Sequence, residues 1–116
     1  MTQNNPSVTG LMMLLKERHS DLLEKQLPAA DDHKTRDAIL TEAREVLHRI
    51  NLAQNLMFVE VSKKLGDAVD AVRAADDKLK DELEQIANLK AFINAFTKFL
   101  GFVDKALDVA KVIALI

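Results

Sequence analysis

The chain reads as an all-α protein: an elongated antiparallel helical hairpin with an additional short N-terminal helix, assembling into a helical bundle. Three observations carry that reading. Only 3 glycines and 2 prolines punctuate 116 residues, too few for the turns a sheet requires. Apolar residues recur at spacings of three and four along most of the length, the period of one helix face. Residues 90 to 116 also gather four of the five phenylalanines onto such a stripe.

The elements follow in order. Residues 1–7, MTQNNPS, are polar and read as a flexible N-terminal arm; residues 8–116 form a single helical domain. Over 8–27, Leu11, Leu14, Leu15, Leu22, Leu23 and Leu27 recur at helical spacing. Pro28 ends this helix, because the residue before proline is biased away from helical angles. Asp31 or Asp32 then caps a second helix, predicted over 32–74, whose inner positions are Ile39, Ala43, Val46, Ile50, Ala53 and Met57. Glu45 with Arg49, and Glu60 with Lys64, form i,i+4 pairs in the favourable order.

The tetrapeptide AADD occurs at 29–32 and again at 74–77. The first copy follows a proline and opens a helix; the second is read by analogy as a turn and a new start. Gly66–Asp67 is the alternative break, a glycine followed by a capping aspartate. The stripe Met57, Val61, Leu65, Ala68 and Val72 passes through Gly66 in phase, which favours 74–77. A third helix, 77–116, carries Leu79, Leu83, Ile86, Leu89, Ile93, Phe96, Leu100, Val103, Leu107 and Ala110, with Gly101 as a point of kinking.

Length bears on assembly. At 1.5 Å per residue the second and third helices would run roughly 65 and 60 Å, whereas a compact chain of this size has a radius of gyration of about 13–14 Å. Such a hairpin buries a stripe on each helix and leaves an apolar arc that needs a partner, so a homo-oligomer is expected. In the closing stretch Phe92, Phe96, Phe99 and Val103 form one band, flanked by Leu100 and Leu107 on one side and Phe102 on the other. These seven residues are the candidate interface. Lys98, Asp104, Lys105, Asp108 and Lys111 interrupt the apolar run, so it does not qualify as a lone transmembrane span.

Composition narrows the chemistry. Net charge is −2 and both signs are evenly mixed, so no basic stripe supports nucleic-acid binding. With no cysteine, disulfides, thiolate zinc sites and a cysteine nucleophile are excluded. Glu45 and His48 match the Glu-x-x-His spacing of dimetal bundles once, where two copies and two more glutamates are needed. His33 with Asp37 suits a first helical turn, and the pairs Asp31–Asp32 and Asp76–Asp77 read as helix caps. No catalytic residue, cofactor site or metal site is expected. The N-terminus lacks the basic region of a signal peptide, so a cytoplasmic protein is expected.

The expected function is a non-enzymatic helical protein–protein interaction module: a self-associating adaptor, chaperone-like or inhibitor-like subunit, with a possible protein client. The alternative is a membrane-active protein that lays its Phe-rich C-terminal helix on a bilayer. In pattern, a long helical hairpin with a Phe-rich arm resembles components of pore-forming toxins, and that resemblance implies the alternative.

Overall fold

The structure is a computed structural model that describes residues 5–85 and 88–115. Four helices make up the described chain: α1 (Val8–Asp21), α2 (His33–Gln54), α3 (Lys63–Gln85) and α4 (Leu89–Leu115). The all-α bundle is as expected, but the helix number and boundaries are not. The predicted helix 32–74 is broken by a loop at 55–62, the predicted turn at 74–77 lies in the middle of α3, and α4 begins afresh at Leu89.

Each helix starts on a short polar side chain. The Ser7 hydroxyl accepts from the Gly10 N–H at 3.2 Å, Asp32 from Thr35 at 2.7 Å, Ser62 from Leu65 at 3.2 Å and Asn88 from Ala91 at 2.9 Å. Each bond satisfies one of the donors a helix start leaves open. The Thr35 N–H, and then its hydroxyl, hold the Asp32 carboxyl below its ordinary 3.8. The loop before Ser62 contains Asn55, Phe58, Val59 and Val61, poor helix formers in sequence. Glu60 therefore lies outside any helix, and the expected pairing with Lys64 is replaced by Lys63 to Asp67 at 3.2 Å.

Pro28 does not end its helix at Leu27. After α1 the chain continues through a π-helical turn, Leu22–Gln26, and a last α-turn, Leu27–Ala29. Proline cannot donate, and its ring clashes with the carbonyl four residues earlier. The wider turn, in which the Leu27 N–H reaches the Leu22 carbonyl, takes up that clash without stopping the helix.

The helices run alternately up and down. α1 packs on α2, α3 on α4, α2 on α4 and α1 on α3, whereas no comparable packing joins α2 to α3 or α1 to α4. The sequential neighbours α2 and α3 are therefore diagonal, and residues 55–62 cross one end of the bundle to connect them. The molecule measures 47 × 24 × 23 Å with a radius of gyration of 14.4 Å. Folding back three times lets the chain cover its own apolar stripes. The arm is partly pinned: the Asn5 carbonyl accepts from Arg73 at 3.1 Å, and Pro6 lies beside Gly66. A β-carbon at Gly10 would run into the Asn5 carbonyl, which requires glycine there.

Candidate functional site

The seven candidate interface residues separate into two groups. Phe92, Phe96, Phe99, Leu100, Val103 and Leu107 are all buried within the chain's own bundle. Phe92 and Phe96 have ring centroids 5.1 Å apart, and Phe96 meets Phe99 edge-on at 6.3 Å. These are favourable aromatic geometries that fix a core. Phe102 faces the other way and is 44% exposed. One residue of the seven remains available to a partner while the bundle is closed.

Phe102 stands at the rim of a groove between α3 and α4 of about 320 Å³. Helical spacing brings Ala71, Ala74, Ala75, Leu79 and Glu82 of α3 along one wall; Ala95, Phe99 and Phe102 of α4 form the other. Lys78 and Lys98 rise from opposite sides. Small residues at i, i+3 and i+4 keep the floor low, so bulky apolar side chains from outside can sit close to the backbone. The groove is mostly apolar in lining, with Lys78, Lys98 and Glu82 as its charged groups. The turn expected at 74–77 hides the α3 wall in the sequence, since it takes Ala74 and Ala75 out of the helix. The visible signal was the alanine spacing itself.

A second, larger groove of about 850 Å³ separates α1 and its π-turn from the end of α3. It lies over a chain of alternating charges. Arg18 donates through Nε to Asp76 and through Nη1 to Asp21, both at 2.9 Å; Lys80 stands 3.5 Å from Asp76 and Lys25 3.9 Å from Asp21. The Arg18 and Asp76 side chains are only 5% and 4% exposed. Asp76 is thus a buried ion-pair partner in mid-helix, which corrects its reading as a cap. Fifty-eight residues separate the pair, so no sequence spacing announces it.

The remaining titratable candidates are dispersed. Glu45 bonds Arg49 at 3.1 Å as expected, and Arg49 also grips Asp104 of α4 at 2.7 and 3.0 Å. Burial works against the Arg49 charge, but the bonds and charges of Asp104 and Glu45 outweigh it and raise its pKa. His48 is exposed, and His33 pairs with Asp37 at 3.2 Å. Among the described residues no three His, Asp or Glu side chains converge as metal ligands. Glu42 of α2 is the unusual group: it is 8% exposed, and its Oε2 has no hydrogen-bond partner. Burial first, and Glu45 second, push its carboxyl above the ordinary range, against a smaller opposing pull from Arg49.

No helix among the described residues is long and apolar enough to cross a membrane. No protein-family model, curated protein or solved structure matches this chain.

Proposed function

We propose that the chain is a non-enzymatic helical interaction module that seats an amphipathic helix, from a second copy of itself or from a protein client, in the groove between α3 and α4. The observation that carries this reading is Phe102, half-exposed beside an alanine-floored apolar groove. A large aromatic left open next to a shallow apolar cleft is the usual anatomy of an anchor and its pocket. The groove is too small to hold a whole helix. It accommodates the short row of apolar side chains that one helix face presents, and Lys78 and Lys98 favour acidic residues flanking that row.

Sedimentation over a range of protein concentrations tests the self-association arm. Phe102→Asp is expected to weaken assembly while leaving the melting temperature close to wild type, because the residue lies outside the core. A photo-crosslinker at position 102 tests the client arm, with the same group at exposed Thr41 as control. If Phe102→Asp leaves native mass unchanged and position 102 crosslinks no more than position 41, the reading is wrong.

A further inference from the structure

The end of the bundle crossed by residues 55–62 carries a second exposed apolar surface, independent of the groove. Val59 turns inward and is buried, which closes the end of the core. Its neighbours are not needed for that closure: Phe58 is 71% exposed, and Met57 and Val61 are also open to solvent. α4 runs parallel to α2, since Thr35 and Ile39 meet Leu89 and Phe92 around one cavity near their starts and Arg49 bridges Asp104 further along both. Its last turn therefore reaches the same end and brings exposed Val112 and Leu115 there. Half of the large apolar side chains exposed on the described molecule therefore share one end, where single scattered ones would need no explanation.

We infer that this end is a contact surface for an anionic lipid bilayer, with Phe58 as its inserting side chain. Two arguments select lipid over a second protein. The first is area. The segments that form the end, residues 55–64 and 111–115, supply fifteen residues on a face 24 × 23 Å across, fewer than the roughly 20–30 residues a side of a standard stable interface. A bilayer demands depth rather than breadth, and a few apolar side chains reaching past the headgroups suffice for reversible attachment.

The second argument is charge. Residues 55–64 and 111–115 hold Lys63, Lys64 and Lys111 against Glu60 alone. The rest of the chain carries 13 basic and 17 acidic groups. Asp67 engages Lys63 at 3.2 Å, while the other two lysines of this end, Lys64 and Lys111, are exposed and make no ion pair among the described contacts. The chain is thus polarised, with a cationic apolar end and an anionic body, and a negative surface orients the first toward itself and repels the second. The surface differs from the Phe-rich stripe of α4 expected to serve a membrane reading, because that stripe is core.

The chain contains no tryptophan, so Phe58→Trp supplies a single emitter at the site. With phosphatidylcholine vesicles containing phosphatidylglycerol, its emission should shift to the blue and be quenched by brominated acyl chains. Phosphatidylcholine alone, or high salt, should reduce the shift. In the otherwise native chain, Phe58→Ser should co-float with anionic vesicles roughly tenfold more weakly or worse, with an unchanged melting temperature. Phe102→Asp should float like wild type, which separates this surface from the groove. Absence of a blue shift on anionic vesicles overturns the inference. So does undiminished flotation of Phe58→Ser, or a Phe58→Ser variant that changes native mass instead of lipid binding.

Discussion

Phe96 and Phe58 are the same side chain in opposite situations. Phe96 is wholly buried between two other rings at the centre of α4, whereas Phe58 stands almost free on the crossover loop. The inner ring contributes to the stability of the fold; the outer one contributes nothing to it and is available to something else. Apolar character alone therefore does not distinguish a core residue from a contact residue. What distinguishes them is whether the chain has already supplied a covering surface.

Mutation should widen that contrast. Phe96→Ala is expected to cost about 3–5 kcal/mol by removing transfer energy and leaving a cavity, while Phe58→Ala should stay within about 0.5 kcal/mol. Urea melts of the two variants side by side would measure the difference, and comparable losses would overturn the division. Polar groups offer the same comparison. Asp76→Ala leaves buried Arg18 with Asp21 as its remaining carboxylate partner and should cost about 2–3 kcal/mol, but Asp104→Ala, at an exposed bridge, should cost no more than about 1 kcal/mol. A double-mutant cycle on each pair would check it.

The smallest effect concerns Glu42, an inner position occupied by a charge. Its folded pKa is raised, so the folded state binds the proton more tightly than the unfolded state does. The resulting stabilisation is complete below the ordinary value of 4.5 and is lost as pH rises through the elevated folded value. Glu42→Gln removes the charged form and should raise stability by about 1 kcal/mol at pH 7. That gain should vanish near pH 4; a gain that persisted there would point to packing rather than to charge.

Much of the architecture was legible before the structure. The stripes Ile39, Ala43, Val46, Ile50 and Ala53, and Phe92, Phe96, Phe99 and Val103, are the inner faces of α2 and α4. The caps Ser62 and Asn88 escape that reading, because helical phase runs through both positions and hides the breaks. Met57 and Val61 continue the stripe of Leu65 and Val72 in number but not in space, since they lie on the loop. The need to cover the leftover apolar arcs was sound as physics. One more reversal of the same chain than expected covers most of those arcs from within. The groove was legible only in part: Phe102 was named, its alanine wall was not, and the Arg18–Asp76 contact depends on tertiary packing that no local pattern encodes.

The diagonal crossover has a kinetic consequence. α1 with α2, and α3 with α4, are sequence-local pairs that can close early, since short loops cost little entropy to form. Residues 55–62 tie these two halves together without aligning them, because α2 and α3 barely touch. The alignment comes instead from the packing of α2 on α4 and α1 on α3, with Arg18–Asp76 and Arg49–Asp104 as directional links between the halves. In a late docking step the buried pair would act as a checkpoint: a half turn of slippage parts Arg18 from Asp76 while both are being desolvated, and only the correct register restores their bond.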